Sequence, residues 1–211
     1  GAASDPIAFA TINKSLRFNN DDSPYLTRTF GSGNRRTWTW SAWVKLAVSS
    51  GAKNFFAAYN GSYSIDNFIQ FYLDGGSGKF SVYGSSLLWQ SNEILTDPSA
   101  WYQIVIAVDT TQASADDRLK VYVNNRQLSQ GSGSGFASQN AQLAVNNNIP
   151  HRIGTYSTST EFFDGYMTDV YFIDGTQLDP SSFGAYDSNG VWQAITYSGT
   201  YGTNGFHLLD F

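Results

Sequence analysis

The chain has 211 residues, a net charge of −5 and no cysteine. Apart from Arg35-Arg36 its basic residues are scattered singly, with no stripe to track a phosphate backbone, so nucleic acid is excluded as a partner. No apolar run reaches the roughly 18 residues of a membrane-spanning helix, and no disulfide supports the fold. At this size about 70% of the unfolded chain's surface can be buried, enough for a single core. Aromatic residues make up 16% of the chain and glycines number 20, a composition of strands and tight turns. Met167 is the sole methionine. A chain that does not open on methionine has lost it, been processed or been cut from something longer, and the last is the expectation.

Residues 1–14 carry little pattern and read as an N-terminal arm or lead-in, leaving 15–211 as one domain. Ser15–Asn19 is the first predicted strand, stopped by Asn20-Asp21-Asp22-Ser23-Pro24. Tyr25–Phe30 is a short second one. Thr37–Lys45 (TWTWSAWVK) alternates cleanly, with Trp38, Trp40, Ala42 and Val44 on one face. Strands follow at Lys53–Tyr59, Phe68–Leu73, Lys79–Tyr83 and Trp89–Ile94, divided by Asn60-Gly61 and Asp74-Gly75-Gly76.

The chain is organised around Trp101–Leu128. Ile104–Val108 is continuously apolar and mostly β-branched, so it needs cover on both faces. Leu119, Val121 and Val123 alternate with Lys120, Tyr122 and Asn124, the pattern of a strand with one dry face. The polar stretch between them is long enough for a short helix, but a long hairpin is the simpler expectation. Gln130–Gly135 reads as a flexible loop. Ala141–Val145 and Arg152–Tyr156 are short predicted strands, and Glu161–Ile173 a long one. Asp179-Pro180-Ser181-Ser182-Phe183 reads as one helical turn capped by Asp179. Phe206–Phe211 closes the chain as a strand. About a dozen strands without a sizeable helix predict an all-β fold, a two-sheet antiparallel β-sandwich.

Three segments, in this order, carry a family likeness: TWTWSAWVK at 37–45, WYQIVIAVD…LKVYVNN within 101–125, and FDGYMTDVYFI at 163–173 followed by Leu178. Together they resemble the laminin G-like, concanavalin A-type jelly roll. The closing elements FIDGTQLDPSSFG and YGTNGFHLLDF resemble variants carried in tail-fibre and other particle proteins of bacteriophages. The resemblance implies two stacked sheets with loops at the rim. It covers lectins, glucan hydrolases and adhesion modules alike, so it does not choose among functions.

The glucanases of this fold carry two Glu on one strand with an Asp between. Here Glu93 and Glu161 stand alone, and Asp164 and Asp169 lie five apart on one predicted strand, facing opposite sides. No catalytic residue carries over, and the chain is expected not to be an enzyme. His151 and His207 are too few for a zinc cluster, and His151 reads as a strand-edge residue beside Pro150. Calcium is the one cofactor the fold suggests. Asp21, Asp22, Asp116, Asp117 and Asn146-Asn147-Asn148 are its oxygen sources, although Asp and Asn also favour turns for their own sake. Tyr59, Tyr63, Trp89 and Tyr156 sit at strand ends near polar residues, where an aromatic face can stack on a sugar ring. Asn67, Gln70 and Arg152 are their expected polar partners.

The reading these residues support is a non-enzymatic recognition module of a phage particle, a fibre or spike. It would act outside the cell on a host-surface glycan and gain avidity as part of a homo-oligomeric assembly. The alternative is a structural or decoration protein that binds other virion proteins, with a polysaccharide hydrolase as a remote third.

Overall fold

The computed structural model describes residues 7–47 and 51–209. The described residues form sixteen strands: β1 (Leu16–Phe18), β2 (Leu26–Thr29), β3 (Thr37–Leu46), β4 (Lys53–Tyr59), β5 (Phe68–Leu73), β6 (Lys79–Tyr83), β7 (Leu87–Ile94), β8 (Tyr102–Asp109), β9 (Leu119–Val123), β10 (Arg126–Gln127), β11 (Gln130–Ser132), β12 (Pro150–Ile153), β13 (Gly165–Asp174), β14 (Gly184–Tyr186), β15 (Trp192–Ala194) and β16 (Phe206–Leu208). Sheet I runs β1-β13-β3-β8-β9-β10, with β16 also on β13. Sheet II runs β11-β7-β6-β5-β4-β12-β2, and β14 pairs with β15 separately. Every pairing is antiparallel. The expected all-β sandwich is what the chain forms.

Period-two alternation builds the space between the sheets. Trp38, Trp40, Ala42 and Val44 of β3 meet Phe56, Ala58, Ile69, Phe71, Phe80 and Val82 of sheet II in one cluster. A bulge between Asn54 and Phe56 lets two consecutive rings, Phe55 and Phe56, both point inward. The predicted hairpin forms as β8 and β9, with Ile104 opposite Val123 and Val108 opposite Leu119. Its loop ends in one helical turn, α1 (Ala115–Arg118).

The need of β8 for cover on both faces is met by the C-terminal segment. Val105, Tyr171, Ile173 and Phe183 form a second buried cluster outside sheet I, with Leu178, Tyr197 and Tyr201 packed on it. Asp179 accepts from the Ser181 amide at 2.9 Å and starts the expected single turn, Pro180–Ser182.

Three expectations are corrected. Gln130–Gly135 is not loose: β11 pairs with β7. A β-carbon on Gly131 or Gly133 would collide with Asn92 or the Leu88 backbone, so these glycines permit close approach. Ala141–Val145 forms no strand. Leu143, Ala144 and Val145 are buried, but their backbone bonds go singly to Arg35 and Ile65, not to a ladder. The strand predicted at Arg152–Tyr156 is β12, Pro150–Ile153, because Gly154 at φ +94° ends it. Of the closing strand, β16 is Phe206–Leu208, and residues 210–211 lie outside the described residues.

Candidate functional site

Sheet II buries one face and turns the other outward, and the strand registers put polar residues on that outer face in rows. One row runs Ser132, Gln90, Ser81, Tyr72, Asn54 across β11, β7, β6, β5 and β4. The next runs Tyr83, Gln70, Ala57, Arg152, Thr27 across β6, β5, β4, β12 and β2. Phe68 and Tyr59 pair beyond it. The first row is hydrogen-bonded side chain to side chain: Ser132 Oγ donates to Gln90 Oε1 and Gln90 Nε2 to Ser81 Oγ, both at 3.1 Å. Asn54 Nδ2 donates to the carboxylate and the carbonyl of Glu161, each at 3.1 Å.

At the far end of these rows the rings collect. Tyr59 lies 5.1 Å from Tyr63, 5.0 Å from Phe68 and 5.7 Å from Tyr156, between ring centroids. Phe68 is the buried hub, with Tyr63, Tyr156 and Tyr83 also around it. Arg152 Nη1 donates to the carbonyls of Tyr59 and Tyr156 at 3.3 and 3.1 Å, tying β4 to the segment after β12. Beside the rings opens a cavity of about 300 Å³ lined by Tyr59, Asn60, Gly61, Pro150, Arg152, Ser157 and Thr158. Tyr63, packed on the lining residue Tyr59, is 57% exposed. Burial, helped by the Tyr63 hydroxyl, pushes the Tyr156 phenol up to about 12, and the Tyr63 hydroxyl raises that of Tyr59. Both remain neutral hydrogen-bonding groups at physiological pH.

Three polar atoms of this face have no hydrogen-bond partner among the described residues: Asn54 Oδ1, Gln70 Oε1 and Arg152 Nε. Each forgoes a bond that a buried polar group ordinarily makes. The nearest to the cavity is Arg152 Nε, since Arg152 lines it.

Of the seven expected ligand residues, Tyr59 and Arg152 line this cavity, and the rings of Tyr63 and Tyr156 pack against Tyr59. Asn67 does not line it and is engaged in holding the loop, accepting from Asn60 Nδ2 at 2.7 Å and donating to Ser64 Oγ at 2.9 Å. Gln70 lies deeper in the face, 6% exposed. Trp89 does not join them. It pairs with Val82 and packs edge-on against Phe80 in the core.

Residues 19–181 match the concanavalin A-like lectin/glucanases superfamily. The chain belongs to that superfamily. No curated protein sequence matches it. Among solved structures, domain 4 of an extracellular arabinanase from Geobacillus stearothermophilus, in complex with arabinotriose, superposes with a TM-score of 0.57 at 18% identity, over 84% of this chain and 79% of that one. A pentraxin from Limulus polyphemus superposes at 0.52 with 14% identity, over 95% and 93%. Tailspike protein 2 of the Escherichia coli O157:H7 bacteriophage CAB120 superposes at 0.56 with 14% identity, and this chain spans 26% of its length. These likenesses establish a shared fold.

The calcium sources suggested for a member of this superfamily are not gathered. Asp21 and Asp22 lie in an exposed turn where Asp22 accepts from Asn19, and Asp116 and Asp117 lie in α1, where Asp117 pairs with Lys120 at 3.1 Å. Among the described residues no three acidic, histidine or cysteine side chains come together in a group that could hold a metal ion. Asn146 is structural: its amide donates to Asp174 at 3.0 Å and to the Asn34 carbonyl at 2.8 Å. Asn204 donates to Asn146 Oδ1 at 3.0 Å.

His151 is not at a strand edge facing water. It is 2% exposed, stacked on Phe30 at 3.8 Å, with Nε2 accepting from the Asn146 amide. Asp164 pairs with Arg17 at 2.7 Å, and Asp169 with His207 at 2.7 Å. Sequence reading overlooked Asn60, Phe68, Asn54 and Glu161. Asn60 and Phe68 were legible as turn and strand but not as neighbours. The Asn54–Glu161 contact joins positions 107 residues apart, and no local pattern reports that.

Proposed function

We propose that this domain is a non-enzymatic carbohydrate-binding module, with its site at the aromatic end of the outer face of sheet II. The carrying observation is the cavity walled by Tyr59 and Arg152 beside the rings of Tyr63 and Tyr156, with Arg152 Nε unpartnered. Stacking on a ring and hydrogen bonds from a fixed guanidinium are how protein surfaces take hold of sugar rings. The arabinanase domain of the same fold is seen with arabinotriose, which makes an oligosaccharide the first ligand to try.

The carboxylate arrangement supports a binding role over hydrolysis. Glu161 bonds to Asn54 on β4, while Glu93 on β7 pairs with Arg126 and Ser129. Two strands lie between β4 and β7, so the strands that hold these groups are three spacings, about 14 Å, apart. Glycoside hydrolysis uses carboxyl pairs about 5–9.5 Å apart. We further propose a phage particle as the setting, exposed to the host surface and present in several copies. The closing elements of the sequence support it.

A glycan array probed with the wild type and with Tyr63→Ala and Arg152→Ala variants tests the site. Specific spots that fade in both variants are expected. Spots indifferent to both substitutions, or no spots at all, overturn the reading.

A further inference from the structure

The outer face of sheet I holds a second cavity, of about 400 Å³, on the side of the molecule opposite the proposed sugar site. Its floor is β3 and β13, where Trp43 and Thr168 pair across the strands. Its wall is Trp101 with Gln193 and Ala194, and its roof is the N-terminal segment, residues 10–15. That segment is fastened at both ends. The Ala10 amide donates to the Ala194 carbonyl, and Thr168 Oγ1 donates to the Lys14 carbonyl, both at 2.8 Å.

The chemistry of the lining is one-sided. The Trp43 indole N–H is shielded from solvent and has no hydrogen-bond partner among the described residues. Lys14 lines the cavity and forms no ion pair with the described residues. Among the described residues no carboxylate lines it. An unmet indole N–H and an ammonium, both donors only, call for an acceptor-rich anion. The half-buried rings of Trp43 and Trp101 add apolar planes, and the Asn13 and Gln193 amides add groups that pair with hydroxyls. We propose that this cavity is a second saccharide site, selective for a sugar that bears a carboxylate, held by Trp43 Nε1 and Lys14 Nζ. It uses none of the residues of the site on sheet II and stands or falls apart from it.

The indole N–H resonances of the six tryptophans give a direct readout by two-dimensional nitrogen–proton NMR. The Trp43 signal is the one lost in Trp43→Phe, which keeps a ring on the outer face. Titration with glucuronate is expected to move it, and glucose at equal concentration is expected to leave it in place. Lys14→Gln should weaken the glucuronate response about tenfold, the usual cost of one charge-assisted bond. Tyr63→Ala should not change it. A signal unmoved by glucuronate, or moved equally by glucose, overturns the site. Acetate moving it as strongly as glucuronate overturns the sugar class and leaves a carboxylate site for an acidic peptide.

Discussion

His151 shows how much one residue's surroundings decide. Buried between Phe30 and Phe56, it is held neutral: desolvation lowers its pKa from 6.5 to about 3. Its Nε2 accepts from Asn146, so Nδ1 carries the proton and donates to the Ile149 carbonyl at 2.8 Å. In the unfolded chain the same imidazole takes up a proton near pH 6.5. Between about pH 6.5 and 3 the unfolded state therefore binds more protons, and stability falls as pH falls. By pH 5 this residue alone costs about 2 kcal/mol relative to neutral pH. Urea midpoints from pH 7 to 4.5 should drop more steeply for the wild type than for His151→Gln. Parallel slopes would contradict this assignment. Asp169 is a second case, at φ +51° beside a bulge in β13, with its carboxylate on His207. Asp169→Ala and His207→Ala should each cost about 1–3 kcal/mol, and the double variant less than their sum. A double-mutant cycle showing additivity would mean the contact contributes nothing. Neither role is legible in sequence, because both are set by partners that local spacing does not bring near: Phe30, and a dyad 38 residues apart.

At the scale of elements the periodicity was informative wherever a strand sits inside a regular ladder. β3, β4, β5, β6, β8 and β9 fall within about a residue of their predicted bounds because alternation or continuous apolarity follows from which faces are dry. Alternation alone does not put both Phe55 and Phe56 inward, which the bulge beside them does, and placing Trp89 at a strand end missed its pairing with Val82 over the core. Periodicity misled where apolar residues are buried without pairing, as at Leu143–Val145. The elements are then joined by a knot that no periodicity reports. Asp174, at the end of β13, accepts from the Asn34 amide at 2.9 Å, from Asn146 at 3.0 Å and from the Asn204 amide at 3.1 Å. Gly33 fits among these three side chains. A β-carbon there would stand 2.5 Å from Asp174 Oδ2 and from Asn204 Nδ2, with Asn146 Oδ1 at 2.8 Å. Gly33→Ala should therefore cost about 1–3 kcal/mol, the range for forcing an atom into a packed interior. The same change at Gly61, with open space around its β-position, costs only the strain of its φ of +103°. Thermal melts of the two variants give the comparison, and Gly33→Ala melting at the wild-type temperature would remove the knot from the account.

Taken whole, the sandwich treats its two outer faces differently. Sheet I is roofed by the C-terminal segment, whose Phe183, Tyr197 and Tyr201 pack on Val105, Tyr171 and Ile173. Sheet II carries rows of polar side chains ending in a cluster of rings. That asymmetry follows from sequence. Ile104–Val108 is apolar on both faces and demands an apolar roof, whereas Asn54 and Ser81 on sheet II, though buried, are met by side-chain hydrogen bonds to Glu161 and Gln90. It also sets how the molecule opens. β3, β8 and β13 have partners on both edges and cover on both sides, so their amides can exchange only when the whole fold opens. β2 and β11 are the outermost strands of sheet II, short and with mostly exposed side chains. Hydrogen exchange should place β3, β8 and β13 at the global stability and β2 and β11 several kcal/mol below it, on the order of 2 or more. The aromatic end of sheet II should fall between these limits, since β4 is central while β12 is held from outside only by β2. Protection in β2 equal to that in β3 would mean that the edge next to the proposed sugar site is braced as firmly as the core. The site would then be rigid before any ligand arrives.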